Sequence, residues 1–229
     1  DVQEPSAISY QGLEIPDEML RAPERSLSQG VDSLVLENGL RVFILEDHTF
    51  PVATIRFSVP MGRFREHHEL AGLAEITVET MMRGTEELSY GQFHRRLERL
   101  GASLSFQCGS RMASGSATLL SEDLETGMRS VSDLLMRPAL RREDMARVLD
   151  EARASVEANA ENVFGVAGDN LSRILCRRPE LSHVTTAETL DRITHRQMFN
   201  FYQQFCRPEG SVMAVVGAVD AEEVRRSAR

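Results

Sequence analysis

The chain has 229 residues, 41% of them hydrophobic and 27% charged, with a formal net charge of -9. That is enough for one large domain or two small ones with a real core, at a composition ordinary for soluble globular proteins. The acidic balance argues against nucleic acid as a partner, and no apolar run approaches the roughly 20 residues of a membrane span. All 26 basic residues are Arg. The lack of Lys excludes Schiff-base chemistry and a phosphate-loop lysine. Cys108, Cys176 and Cys206 are too sparse for a disulfide framework or a zinc ribbon and read as half-buried thiols. The chain opens on Asp1 rather than Met, which reads as a processed or trimmed product and, weakly, as a periplasmic or secreted protein, with the cytoplasm as the alternative.

Residues 1–30 are polar and contain Pro, and read as an extended lead-in to a domain at 31–229. "SLVLENGLRVFILED" holds two β-rich runs around Asn38-Gly39, a strong hairpin signal. "PVATIRFSVPMG" alternates Val52, Thr54, Arg56 and Ser58 against Ala53, Ile55, Phe57 and Val59, as a strand does. Helices are predicted over about 69–83 and 89–100, the second opening on Ser89 and closing on Gly101. "ASLSFQCGSRMASGSATLL" is a second strand pair. Ser121 with Asp123 opens a helix that Pro138 stops near Met136. "RREDMARVLDEARASVEANAEN" is a long amphipathic helix with Met145, Val148, Leu149, Ala152 and Val156 as its stripe. Further helices are predicted at about 164–176 and, capped by Thr194, at 195–206. "GSVMAVVGAV" is a buried strand and "DAEEVRR" starts a last helix. The order predicts an α+β fold, helices layered on a mostly antiparallel sheet.

The first predicted helix holds "GLAEITVETMMRGT", with Glu75 and Glu79 one turn apart and Glu151 far downstream. Like charges at that spacing disfavour a helix slightly. A metal site, the remnant of one and a solvated face are all open. The wheel groups Leu70, Leu73, Ala74, Thr77, Val78 and Met81 as the core stripe, with both glutamates opposite. Met81 and Met82 read as core fillers. His67 and His68 with Glu69 lack a second histidine at i+4 and read as a polar loop. His48, His94, His183 and His195 are scattered singles, and no Ser/His/Asp or Cys/His set emerges from spacing.

From "LENGLRVFILEDHTFPVATIRFSVPMGRFRE" through "AGLAEITVETMMRGT", "LERLGASLSFQCG" and "VLDEARASV" to "ETLDRITHRQMFNFYQQFCRPEGSVMAVVGAVDAEEV", the sequence resembles the insulinase/pitrilysin/mitochondrial processing peptidase family. These are zinc peptidases with an inverted H-x-x-E-H motif. The resemblance covers roughly residues 33–224. It implies a metallohydrolase half domain of the mitochondrial-processing-peptidase type, N-terminal in kind. A second half domain or subunit would be the partner that completes a peptide chamber. Laid on the family's Gly-Leu-Ala-His-x-x-Glu-His without gaps, the first His falls on Glu75, the catalytic Glu on Val78 and the second His on Glu79. The third ligand falls on Glu151. Both imidazoles and the base are then absent.

A catalytic zinc needs three protein ligands, an open position and a nearby proton acceptor. Three glutamates suit a hard cation better. The expectation is therefore no catalytic residue, no metal at Glu75, Val78, Glu79 and Glu151, and zinc only where a partner or second domain supplies the site. Three functional readings stay open. One is a non-catalytic half domain shaping a peptide chamber or an interface. The second is part of an active peptidase whose motif lies elsewhere. The third is hydrolysis by a metal held on the three glutamates. The resemblance also implies an extended peptide pairing with an edge strand of "SFQCGSRMASGSATLL", a segment that by itself reads first as plain sheet core.

Overall fold

The predicted hairpin forms, with a five-residue connection. The structure is a computed structural model that describes residues 30–175 and 184–228. In it β1 (Val31–Val35) pairs antiparallel with β2 (Arg41–Glu46), Val35 opposite Arg41. Gly39 takes φ +85°, and Asn38 Oδ1 accepts the Leu40 N–H at 3.1 Å. Strands β3 (Val52–Val59), β4 (Ser103–Cys108), β5 (Ala113–Leu120) and β6 (Val212–Gly217) complete a six-stranded sheet in the order β1-β2-β6-β3-β5-β4. Every pairing is antiparallel except β2–β6, where Arg41 meets Val212 in parallel register.

The alternation in β3 is the one its sequence predicts. Ala53, Ile55, Phe57 and Val59 are buried, together with Val42, Ile44, Ala117, Leu119 and Val215 of neighbouring strands. This is the helix-covered face of the sheet. The opposite face carries hydroxyls in register. Thr54 meets Thr118 at 3.3 Å and Ser58 meets Ser114 at 2.7 Å across the β3–β5 pair.

Eight α-helices lie among the described residues: α1 (Leu73–Met81), α2 (Tyr90–Arg99), α3 (Leu124–Met136), α4 (Arg142–Glu161), α5 (Val163–Leu175), α6 (Ala187–Asp191), α7 (His195–Phe205) and α8 (Ala221–Ser227). Their ends follow local chemistry. Gln92 Oε1 accepts the Ser89 N–H at 3.0 Å, and Gln197 Oε1 accepts the Thr194 N–H at 2.8 Å, both capping-box bonds. The fold is thus α+β, and Val31–Arg229 forms one compact unit. The lead-in predicted for residues 1–30, apart from Gly30, lies outside the described residues, as do Cys176 and His183.

Two expectations need correction. The helix predicted at 69–83 is shorter. A 3-10 turn, His68–Leu70, precedes it, and Gly72 at φ +103° breaks the path between turn and helix. That conformation suits glycine and costs other residues about 1 kcal/mol or more. The short helix α6 has no counterpart among the predicted elements. Thr186 caps it, its side chain accepting the Thr189 N–H at 3.2 Å.

Candidate functional site

The site is built on α1, so what positions α1 comes first. Its N–H groups need acceptors that the helix itself does not supply. Glu66, six and eight residues upstream, supplies two. One carboxylate oxygen accepts the Gly72 N–H at 3.1 Å and the other the Ala74 N–H at 2.8 Å. Glu66 is buried, and that burial pushes its carboxyl up to about 7, against the pull of the two N–H donors and Arg63. The segment that carries Glu66 is itself tied to the β4–β5 turn, where Gly109 O accepts the Arg63 N–H at 3.0 Å and Ser110 O accepts the Phe64 N–H at 2.9 Å.

Within α1 burial runs almost all the way round. Leu73, Ala74, Thr77, Val78 and Met81 are in the core as predicted, but so are Ile76 and Thr80. A wheel assumes one wet side. This helix packs on α4, α7 and β4 together, so the single-stripe reading falls short. The two buried hydroxyls are satisfied within the helix: Thr77 donates to Leu73 O at 2.7 Å and Thr80 to Ile76 O at 2.6 Å. Leu70, placed in the stripe by the wheel, sits on the 3-10 turn and is half-buried. Met81 is fully buried, and Met82 packs against the core from a half-buried position.

Glu75 and Glu79 are the exposed residues of α1. Each candidate carboxylate has a cationic neighbour. Arg63 reaches Glu75 at 3.3 Å, and Arg83, just past the end of α1, pairs with Glu151 of α4. Arg83 also lies over the Tyr90 ring, 5.5 Å from its centroid. Glu79 stands between these pairs. Partial burial, then Glu75 and Glu151, raise its carboxyl above the usual range, and Arg83 opposes them. The fold therefore brings Glu75, Glu79 and Glu151 into one electrostatic neighbourhood, with Arg63 and Arg83 as members that spacing did not point out. Val78 is 0% exposed and belongs to the core.

This set does not fit a catalytic zinc. Two carboxylates are engaged by guanidinium groups, imidazole is missing, and the residue at the base position is a buried aliphatic side chain. Among the described residues no three His, Cys, Asp or Glu are placed to hold one ion. The other candidates lie apart. His67 and His68 are exposed before α1, and the Nδ1 of His67 accepts the Glu69 N–H at 3.4 Å. His94 stacks against Tyr90 at 4.2 Å, and His195 Nε2 bonds the Leu140 carbonyl at 2.7 Å. Burial pushes both Cys108 and Cys206 thiols up to about 12, so neither is a nucleophile at neutral pH.

Beside Glu75 a cleft of about 420 Å³ opens between α1, α4, α5 and the approach to α6. Ile76, Val156 and Val166 form apolar parts of its wall, and Arg63, Asn159 and Asn170 polar parts. Its size is within the range of small-ligand sites. Strand β4 is an edge of the sheet next to α1 and ends at Cys108 beside the Arg63 segment.

Comparison with known proteins gives a consistent result. The sequence pattern of the family described as Insulinase (Peptidase family M16) matches residues 41–188. An uncharacterized zinc protease of Mycobacterium leprae is 22% identical over 199 residues, 86% of this chain and 45% of that protein. Among solved structures, a peptidase M16 inactive domain from Pseudomonas fluorescens superposes with a TM-score of 0.82 at 21% identity, over 86% of this chain and 49% of that one. A protease from Helicobacter pylori gives 0.76 at 17%, over 86% and 48%. The periplasmic protease PqqL of Escherichia coli gives 0.74 at 16%, over 87% and 23%. The chain spans about half the length of its relatives or less, and the structural likenesses carry the fold.

Proposed function

The chain belongs to the insulinase family of peptidases, and from that premise we propose that it is a half domain that does no hydrolysis itself and helps to shape a peptide-binding chamber or a structural interface. One observation carries this reading. Where the gapless alignment puts the general base stands Val78, fully buried, and the carboxylates aligned with zinc ligands are held by Arg63 and Arg83 or flanked by them. Such a group of charges orders a surface but activates no water. Strand β4 beside α1 is an edge of the sheet, where an extended peptide would add as a further strand.

The test uses purified protein. Its metal content is measured, and cleavage of a mixed peptide library is followed with and without a chelator. Sub-stoichiometric metal and no chelator-sensitive cleavage are expected. Metal-dependent cleavage by this chain would overturn the proposal.

A second reading has its own support. The chain covers 45% of a relative described as a zinc protease, so an intact H-x-x-E-H in another half domain or partner subunit would make the assembly an active endopeptidase. Finding or failing to find that motif outside these residues decides it. For location, the periplasm is favoured. The fold is shared with a periplasmic protease. Fractionation of cells with an antibody to the chain tests this.

A further inference from the structure

Two cavities meet along α3, and neither shares a lining residue with the cleft beside Glu75. The first is mainly apolar, about 270 Å³, and is walled by Phe57 and Val59 of β3, Met128 and Leu135 of α3 and Met213 of β6. Polar side chains on its wall are already engaged. The Cys206 thiol donates to Leu135 O at 3.3 Å, the Ser211 hydroxyl donates to Arg207 O, and Ser58 meets Ser114 at 2.7 Å. The cavity therefore offers a ligand apolar contact and few free hydrogen bonds. The second cavity, about 490 Å³, is lined by Arg96, Arg129 and Arg137. Met128, Ser132 and Ser227 line both, so the two adjoin.

The helix period explains the split. Arg129, Asp133 and Arg137 follow at i, i+4 and i+8 on one side of α3 and its end, with Met128, Ser132 and Leu135 on the adjoining side. Asp133 holds the cationic wall in place. Its side chain is 7% exposed, takes Arg137 at 2.6 Å and lies 4.0 Å from Arg96. The other acids of this cavity compete weakly for the same cations. Glu87 meets Arg137 at 3.3 Å and Glu125 meets Arg129 at 3.7 Å, but both carboxylates are mostly in water, where such pairs exchange readily. Each guanidinium keeps N–H donors for a further oxygen, and its planar fork suits a carboxylate. We infer that the joined cavities bind a single-chain amphiphile with a carboxylate head, a medium-chain fatty acid. The head sits on Arg96, Arg129 and Arg137, and the chain fills the apolar cavity. This site stands independently of the half-domain reading.

The experiment titrates the protein expressed from its complete gene, by calorimetry, with decanoate below its micelle concentration. Decanol, which lacks the charge, and acetate, which lacks the chain, are the controls. Decanoate should bind saturably and at least about tenfold more tightly than decanol, and acetate should give no saturable heat. Methyl NMR of the methionines should show the Met128 and Met213 signals moving with decanoate. Arg129→Gln and Ser132→Trp change exposed positions of α3 and should keep the parent thermal midpoint. The first should weaken decanoate by at least about tenfold, and the second, which plugs the junction, should remove its binding. No binding of decanoate, decanol as tight as decanoate, unmoved Met128 and Met213 signals, or full binding in either variant overturns the inference and leaves a packing gap beside surface ion pairs. Where a variant melts early, the Met128 and Met213 signals of the parent chain decide.

Discussion

Arg83 and Glu151 lie 68 residues apart in sequence and join the end of α1 to the middle of α4 through a guanidinium–carboxylate pair. The two partners are unequal. Glu151 is largely exposed, whereas Arg83 is mostly covered and rests on Tyr90. Arg83 also serves Glu79, so its loss leaves Glu75, Glu79 and Glu151 with Arg63 as the nearby cation. Glu151→Ala should cost under about 1 kcal/mol, as exposed pairs do. Arg83→Met should cost about 1–2 kcal/mol, and the deficit should shrink with added salt, which screens the unmatched carboxylates. Urea melts of both variants at low and high salt check the asymmetry. Equal costs would mean that the pair, and not the carboxylate group, is what matters.

Glu79 tests whether the glutamates of α1 contribute anything to the fold. Its carboxyl is raised by partial burial and by Glu75 and Glu151. A raised acid binds its proton more tightly when folded, so its ionised form at neutral pH opposes folding. Glu79→Gln should leave stability unchanged or improve it by a few tenths of a kcal/mol. Glu75→Ala loses an exposed contact to Arg63 and relieves the same repulsion, so its net effect should also be near zero. A loss of several kcal/mol in either variant would show a structural duty that the proposed vacant site does not have.

What could be read along the chain was what depends on near neighbours. Asn38-Gly39, Ser89 with Gln92, Thr194 with Gln197 and Pro138 each mark an end or turn through atoms a few residues away. The alternation in β3 reports one buried sheet face directly. The parallel β2–β6 pair, which joins residues some 170 apart, leaves no local trace. The burial of Ile76 and Thr80 comes from three elements closing on α1, which a wheel does not see. At the site, the spacing of Glu75 and Glu79 was legible, and the i, i+4 step from Glu79 to Arg83 is the one signal that could have pointed to that arginine. Arg63 and Glu66 were not legible, since their roles depend on a non-helical loop folding back on the helix start.

That loop gives a pH dependence. The carboxyl of Glu66 moves from an ordinary 4.5 to about 7 in the fold. Between those values the folded chain holds a proton that the unfolded chain has lost, so stability falls as pH rises from about 4.5 to about 7. The full difference is on the order of 3 kcal/mol. Glu66→Gln removes this titration while keeping one acceptor for the two N–H groups. Its stability relative to the parent chain should improve steadily across that window, as read from denaturant midpoints at a series of pH values. Glu66→Ala leaves both N–H groups without their acceptor and should cost about 1–2 kcal/mol at pH 5, where the parent carboxyl is neutral. A parallel pair of pH curves for parent and Gln variant would rule out Glu66 as the titrating group.

The sharpest test falls on Val78. If its side chain lay on a solvent-lined chamber wall, a glutamate there would be accepted, and the altered helix would be one substitution nearer to a working base. The fold argues otherwise: Val78 is fully enclosed within the same core as Ile76 and Met81. A carboxylate introduced there loses its hydration without a cation to replace it, since Arg63 and Arg83 are already committed to Glu75 and Glu151. Val78→Glu should therefore destabilise by about 3 kcal/mol or more. For a domain of this size, the thermal midpoint should drop by roughly 6–12 °C. Val78→Ile, which keeps the chemistry and adds one methylene, should cost about 1–3 kcal/mol through overpacking alone. A Glu variant that melts with the parent would place position 78 at the chamber surface and reopen the question of a recoverable active site.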